Sequence, residues 1–423
     1  MKILIYGLNF SPELTGIGKY TGEMVQWLTQ QGHKCRVISA PPYYPDWKVS
    51  QDYSSWRYHK EYIHDAKIYR CPLWVPKHPQ AIKRLLHLTS FALSSLPVLI
   101  KQLSWKADVI ICIAPAFFCT PGALLYSKLS HAKSWLHIQD FEIDAMVGLG
   151  MTRRVKWLTR FAYALEKSAF RKFDRVSSIS NTMCQKLQQK GTSTNAVTYF
   201  PNWVDTSFIS PHADATKYRQ RWNIGNNDIM ILYSGNLGKK QGLDLILDTA
   251  QSLSNTPRFR FVIVGEGAEK DHLIKKAKQL QLNNIQFHPL QPYESLPDLL
   301  CAADIHLVLQ KRGAADAVLP SKVTGILAAG GYAIITAEEN TELGYILKEN
   351  PHIATLIPPE SKSHLIDAIN KLANILTQKE NRTHNVNALV YAKNNLGLEN
   401  ILSTFERSLL NLQHEKENKY AVL

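Results

Sequence analysis

MKILIYGLNFSPELTGIGKYTGEMVQWL, residues Met1 to Leu28, decides the class of fold. A short apolar run, Lys2–Tyr6, ends in Gly7. Polar and glycine-rich residues follow, and then Tyr20, Met24 and Leu28 recur every four residues with Trp27 beside them, until Gly32 closes the pattern. A strand buried on both faces reads as an unbroken apolar run, and a helix lying on a sheet reads as a stripe of period 3.6. Strand, glycine loop and amphipathic helix together predict the opening unit of a doubly wound α/β sheet.

The same grammar continues outward from this stretch. Further strands are expected at Cys35–Ser39, Asp108–Ala114, Ser134–Gln139 and Arg175–Ile179, and a helix over Arg153–Lys172. The pattern then begins again at Ile229–Ser234, which ends in Gly235. A helix over Leu243–Leu253, a strand over Phe259–Val264 and a helix over Lys270–Leu280 follow. The series ends with Ile285–Phe287, Leu296–Cys301, Ile305–Leu309, Ser321–Ala329 and Ala333–Thr336. Prolines and polar residues in FPNWVDTSFISP, Phe200 to Pro211, separate the two series. The predicted architecture is α/β, with two tandem Rossmann-like, doubly wound domains. They cover residues 1–205 and 206–395, and the amphipathic tail, 396–423, forms a helix returning to the first domain. Open α/β sheets bind ligands at the carboxyl ends of their strands, so the site is expected where two such sets of ends face a common cleft.

Composition narrows the class. The 423 residues are 45 % hydrophobic and 20 % charged, ordinary for a chain with a sizeable core. The start does not read as a signal peptide, and no stretch approaches the roughly 20 apolar residues of a membrane span. Six cysteines without a C-x-x-C pair point to reduced thiols of a cytosolic protein rather than zinc or disulfides. The net charge is +14, and it is uneven. Residues 1–205 carry 26 Lys and Arg against 13 Asp and Glu, whereas residues 206–423 carry 23 against 22. No acid occurs between Asp65 and Asp108, while Lys67, Arg70, Lys77, Lys83, Arg84, Lys101 and Lys106 do. An anionic surface or polyanion is therefore expected to face the first half. Within it, Gln80 to Trp105 is apolar with basic ends and a kinking Pro97. It reads equally as a membrane-interface helix and as a core helix pair, and the acid-free setting favours the membrane.

The loops carry the chemistry. Gly16 and Gly18 open a helix without completing G-x-G-x-x-G. No acid ends the second strand, so a dinucleotide is disfavoured and a phosphate or sugar oxygen is favoured, the alternative being a plain loop. His137 and Asp140, in WLHIQDFEIDAMVG, are expected just past a strand, the first to exchange a proton with a hydroxyl and the second to orient it; a packing histidine is the alternative. Asp140, Glu142 and Asp144 do not make D-x-D, so no metal-chelated diphosphate is expected. In YSGNLGKKQGLDL, Gly235 and Gly238 permit a tight turn. Lys239 and Lys240 there bring charge to a helix start, suited to a departing diphosphate, the alternative being a solvated basic turn. In GAADAVLPSKVTGILAAGG, Pro320 fits the first turn of a helix opened by Ser321 and Lys322, again suited to phosphate. Asp316 upstream is suited to sugar hydroxyls.

Taken together, these segments resemble the GT-B glycosyltransferases of family 4, and within them the colanic-acid and O-antigen type. The carriers are Phe10–Tyr20, APPYYPDWKV at Ala40–Val49, HIQDFEID at His137–Asp144, PNWVD at Pro201–Asp205, Tyr233–Leu243 and LPSKVTGILAAGG at Leu319–Gly331. The resemblance spans nearly the whole chain. It implies a GT-B fold and retaining, metal-independent transfer from a nucleotide-diphosphate sugar, which is substrate rather than cofactor. The sugar would be fucose or a related deoxy or amino sugar. The implied acceptor is a polyprenyl-diphosphate-linked sugar or a glycan of exopolysaccharide, O-antigen or capsule assembly. The enzyme would sit peripherally on the inner face of the cytoplasmic membrane, with the first domain taking the acceptor and the second the donor.

By the same resemblance, Gly16 and Gly18 would lie near the donor phosphates, and His137 near the transferred sugar. Lys239 or Lys240 and Ser321–Lys322 would meet the diphosphate. Gly265, Glu266 and Gly267, with His288–Leu290, would flank the base. The sequence departs from the family pattern at Asn236, where an Arg is usual, and near Ala317 and Gly325, where two glutamates are usual; Asp316 would stand in for the first. A nucleotide-sugar epimerase of the same fold and a non-catalytic nucleotide-sugar-binding partner are the alternatives. Nucleic acid is disfavoured, because only the charge points to it.

Overall fold

The computed structural model describes residues 1–13, 16–77, 81–114, 117–141, 163–164, 166–256, 258–313, 320–377 and 384–421. It divides into two compact units, Met1–Pro201 with Leu402–Leu423, and Asn202–Ile401.

The first unit is built on an eight-stranded sheet. Its strands are β1 (Lys2–Gly7), β2 (Lys34–Ser39), β3 (His59–Ile63), β4 (Ala66–Arg70), β5 (Val109–Ala114), β6 (Lys133–Ile138), β7 (Arg175–Ser178) and β8 (Val197–Tyr199). They lie in the order β3-β4-β2-β1-β5-β6-β7-β8, all parallel except β3 against β4. Ile3 to Gly7 and all six residues of β5 are buried, as helices on both faces require. The helix α1 (Gly16–Gln30) buries Tyr20, Met24, Val25 and Leu28, and Gly32, at φ +82°, turns the chain after it. The β3–β4 hairpin has no counterpart in the sequence expectations. β3 is an edge strand, HKEYI, with no residue fully buried, so it lacks the apolar run that betrays an inner strand.

Of the stretch Gln80 to Trp105, Gln80 lies outside the described residues, and the rest is one long helix, α2 (Ala81–Lys101), with Pro97 inside it, followed by a 3₁₀ turn, Gln102–Trp105. Phe91, Ser95 and Leu99 are buried, and Tyr6 and Ser95 share a hydrogen bond of 2.6 Å. Leu96 and Leu99 pack on Gly122 of the next helix, α3 (Thr120–Ser130). Among the described residues no helix is long and apolar enough to cross a membrane. Of the helix expected over Arg153–Lys172, residues 166–170 are helical and 153–162 lie outside the described residues. The last helix, Leu398–Ala421, returns to this unit from Leu402 on. Phe405 stacks face to face on Phe200 (4.1 Å, 7°) and meets Trp135 edge-on (5.0 Å). Glu406 bonds His33 (2.9 Å), and Glu415 pairs with Arg175 (2.7 Å).

The second unit is a six-stranded, fully parallel sheet. Its strands are β9 (Ile229–Ser234), β10 (Phe259–Val264), β11 (Ile285–His288), β12 (Ile305–Val308), β13 (Tyr332–Thr336) and β14 (Thr355–Ile357), ordered β11-β10-β9-β12-β13-β14. The order reverses between β9 and β12, and ligands of doubly wound sheets bind at the carboxyl ends beside such a reversal. Alternate residues of β9 feed two cores. Ile231 and Tyr233 pack with Leu247, Phe261 and Ile369 on one face, and Met230 and Leu232 with Tyr218, Trp222 and Val262 on the other. The side chains of Arg219 and Asp304, 6 % and 8 % exposed, pair at 2.9 Å beneath the second core.

Candidate functional site

The loops after β9 and β10 touch backbone to backbone. Gly235 N–H donates to Val264 O (3.0 Å), and Leu237 N–H donates to Glu266 O (2.8 Å). A Cβ on Gly265 would strike the carbonyl of Gly235, lying 3.0 Å from its carbon, and one on Gly267 would lie 2.6 Å from the Leu237 carbon. Gly235, Gly265 and Gly267 also hold φ of +147°, +153° and +155°. Conformation favours glycine at all three positions, and at Gly265 and Gly267 space does as well. Gly265→Ala is therefore expected to cost about 3 kcal/mol and to force the loops apart. A thermal melt checks this, and an unchanged melting temperature would contradict it.

Lys322 points into this corner. It is the second residue of the helix Ser321–Ala328, which follows Pro320. No side chain caps that helix, so its first N–H groups keep their partial positive charge. Lys322 Nζ donates to the Tyr233 hydroxyl (3.3 Å) and lies 4.4 Å from the centre of that ring. The Tyr233 hydroxyl in turn donates to Asn236 O (2.8 Å). Where a Gly235 Cβ would stand, Nζ is 3.6 Å away. The side chain is largely withdrawn from water, and burial pushes the ammonium from the lysine value of 10.5 down to about 8. Among the described residues no carboxylate pairs with it. A partly buried cation with no carboxylate partner among the described residues, beside an uncapped helix start and a strand-order reversal, is a place for an anion.

The structure brings Gly235, Asn236, Gly265 and Lys322 together and places Pro320 and Ser321 at the start of the same helix. Pro320 stands one residue before that helix, a correction to the sequence expectation that put it in the first turn. Lys239 and Lys240 form an exposed 3₁₀ turn, and Lys240 O accepts from Lys311 N–H (2.8 Å). Glu266 is exposed and paired with Lys270 (2.7 Å). Leu290 is exposed beyond β11, where His288 stacks on Trp222 (4.1 Å, 12°). Gly325 is buried against Ile209 and Leu300. Asp316 and Ala317 lie outside the described residues.

In the first unit, Gly18 of α1 answers to Glu13. Gly16 is exposed at φ +61°, but Gly18 is buried, and a Cβ there would lie 2.6 Å from Cβ of Glu13 and collide with its carboxylate. Glu13 is itself buried. One oxygen accepts the N–H groups of Tyr43 and Tyr44 (both 3.1 Å), and the other accepts from Asn9 (3.0 Å). Burial raises its pKa against the pull of those bonds. A packed carboxylate thus accounts for Gly18 without any phosphate. Arg70 ties the same loops from the other side. It donates to Glu61 (2.6 Å), to Ser39 Oγ and Ala40 O (both 3.0 Å) and to Ser11 O.

His137 is not past a strand but inside β6, and it is 3 % exposed. Its Nδ1 bonds Ser177 Oγ (2.9 Å), its ring lies on Phe200 (4.9 Å), and burial lowers its pKa to about 3. The ring is therefore neutral at working pH. Asp140 is exposed at the end of β6, beside a small cavity that Thr120, Glu166 and Phe170 also line. Glu142 and Asp144 lie outside the described residues. Among the described residues no group of three or more His, Cys, Asp or Glu is placed to hold a metal ion.

Residues 15–203 match the family model of the glycosyl transferase 4-like domain, and residues 214–387 that of glycosyl transferases group 1. A relative from Escherichia coli K12, named "Putative colanic acid biosynthesis glycosyl transferase WcaI", is 50 % identical over 409 residues, covering 96 % of this chain and 98 % of its own. The chain belongs to the glycosyltransferases of group 1. Solved structures agree on a GT-B fold for this glycosyltransferase. Sucrose-phosphate synthase from Thermosynechococcus elongatus matches with a TM-score of 0.73 at 14 % identity, over 97 % of this chain and 98 % of that one. Anabaena Alr3699/HepE in complex with UDP-glucose matches at 0.66 and 16 %, over 97 % and 100 %. WaaG, a glycosyltransferase of lipopolysaccharide biosynthesis, matches at 0.64 and 15 %, over 95 % and 98 %. Membership makes the chain an enzyme of sugar transfer, which decides against the epimerase and the non-catalytic partner.

Three side chains of this glycosyltransferase that order the loops escaped the sequence reading. Tyr233 reads as a strand residue, Glu13 as a loop residue and Arg70 as surface charge. The one available signal was the acid-free stretch after Asp65, in which an arginine ending a strand, as Arg70 does, is suited to loop carbonyls.

Proposed function

We propose that this glycosyltransferase moves a sugar, fucose or a related deoxy or amino sugar, from a nucleotide-diphosphate donor to a lipid-linked or glycan acceptor. The process would be the assembly of colanic acid or a similar exopolysaccharide, O-antigen or capsule. The second unit holds the donor and the first receives the acceptor at the inner face of the cytoplasmic membrane. The observation that carries this reading is Lys322, an ammonium without a carboxylate partner among the described residues, held by Tyr233 beside Gly235. The half-identical relative named for colanic acid biosynthesis and the fold neighbour solved with UDP-glucose support it.

In the proposed step the bond between sugar C1 and the diphosphate oxygen breaks, and C1 bonds to the acceptor oxygen on the same face. The acceptor proton passes to a phosphate oxygen of the departing nucleoside diphosphate. The growing charge on that diphosphate is met by Lys322, by the helix start at Ser321 and by Lys239 or Lys240, so no metal or cofactor is called for. Incubating the enzyme with a series of radiolabelled nucleotide-diphosphate sugars and extracted bacterial lipids tests this. Label from one donor should enter the organic phase as the nucleoside diphosphate is released. Donor consumption with label only in free sugar, or no consumption with any donor, would contradict it.

A further inference from the structure

The outer face of α2 carries aliphatic side chains where a water-facing helix carries charge. Leu86, Leu93 and Ile100 are 55 %, 63 % and 61 % exposed. They are spaced by seven residues, so they form one line along the helix, about 21 Å long at 1.5 Å per residue. The opposite face, with Leu88, Phe91 and Leu99, is buried. Lys83 and Lys101, both exposed, stand at the two ends of the line. Halfway along, the Tyr58 hydroxyl donates to Ser94 O (2.8 Å), which brings an exposed aromatic alongside, and Trp56, two residues away, is 76 % exposed.

We propose that this line is the face by which the enzyme lies on an anionic lipid bilayer, resting on the reading above that the acceptor is membrane-borne. The aliphatic side chains enter the acyl boundary, and the lysines reach the headgroups from either end. Tyr58 and Trp56 take the interfacial level that such rings prefer. Charge favours a bilayer over another protein, because no acid occurs anywhere from residue 66 to 107 and Lys77 and Lys106 add to the exposed cations.

The test is co-sedimentation of the full chain with vesicles of phosphatidylcholine alone and of equimolar phosphatidylcholine and phosphatidylglycerol. The wild type should sediment with the mixed vesicles and release as salt is raised. The triple variant Leu86→Ser, Leu93→Ser, Ile100→Ser should bind them weaker by about two orders of magnitude, since three apolar insertions are lost. Its melting temperature should stay unchanged, because the three side chains are exposed. Lys83→Glu with Lys101→Glu should remove the preference for the anionic vesicles while folding normally. If wild type and triple variant sediment equally, the face is wrong, though a membrane-borne acceptor survives. If the wild type binds neither vesicle, both fall. A wild-type dimer in solution that the triple variant dissociates would make a second copy the occupant and overturn the proposal.

Discussion

Lys322→Ala is expected to lower kcat by roughly one to three orders of magnitude, the scale of removing one preorganised charge from a developing anion. Most of the loss should fall on kcat rather than KM, because the diphosphate gains charge as the C1–O bond breaks. The pH profile carries a sharper signature. In the free protein Lys322 titrates near 8 instead of 10.5. Below about pH 8 the ammonium is charged in both folded and unfolded chains, and its burial penalty is present in full. Between about 8 and 10.5 the unfolded chain holds a proton that the folded chain has released, so this group's contribution to stability improves as pH rises. Binding of a nucleoside diphosphate runs the other way, since it needs the ammonium and must take up a proton above pH 8. Affinity should therefore fall across that window in the wild type, and the fall should be missing in Lys322→Met. Titrations at several pH values check both signs. Near-normal turnover in Lys322→Ala would remove the residue from the chemistry.

Arg70→Met should be the most destabilising of the first-unit variants. The guanidinium is 1 % exposed and holds the loops after β1 and β2 together through Ser11 O, Ala40 O and Ser39 Oγ, with Glu61 as counter-ion. Methionine keeps the volume but leaves these acceptors facing an apolar chain. Removing one member of a buried pair costs about 3–5 kcal/mol. For a unit of this size that lowers the melting temperature by roughly 10 °C. Calorimetric melting of the variant reads this directly, and a shift of only about 2 °C would show that water or neighbouring groups replace the guanidinium.

The parts of the fold legible in the sequence are those whose residues are apolar on both faces. β1, β9 and β10 announce themselves because helices cover both sides of the sheet, and their ends were readable to within about a residue. The β3–β4 hairpin was not legible, since an exposed edge strand obeys no such pattern. The glycines after β9 and β10 were legible as a tight place, but not that they serve each other. Their contact joins residues about thirty apart, and only pairing of the strands reveals it. Lys322 was legible as a cation at a helix start, whereas Tyr233, which holds it, lies 89 residues away. The partners of His137 were not legible, because they are distant in sequence. Ser177 bonds it, and Phe200, stacked under Phe405 of the last helix, covers its ring. The contact of Gly18 with Glu13 was likewise not legible, since a glycine at a helix start carries no sign of the side chain packed on it.

The central claim is that Lys322 and the loops around Gly235 hold the diphosphate of a nucleotide sugar. Calorimetric titration of the wild type and Lys322→Ala with UDP, GDP, dTDP and the corresponding nucleosides tests it most directly. The account predicts that one nucleoside diphosphate binds the wild type and its nucleoside much less well, and that the variant loses about tenfold or more in affinity for the diphosphate alone, as loss of a charge-assisted contact implies. Equal binding of the diphosphate by wild type and variant, or no binding of any diphosphate, would contradict it.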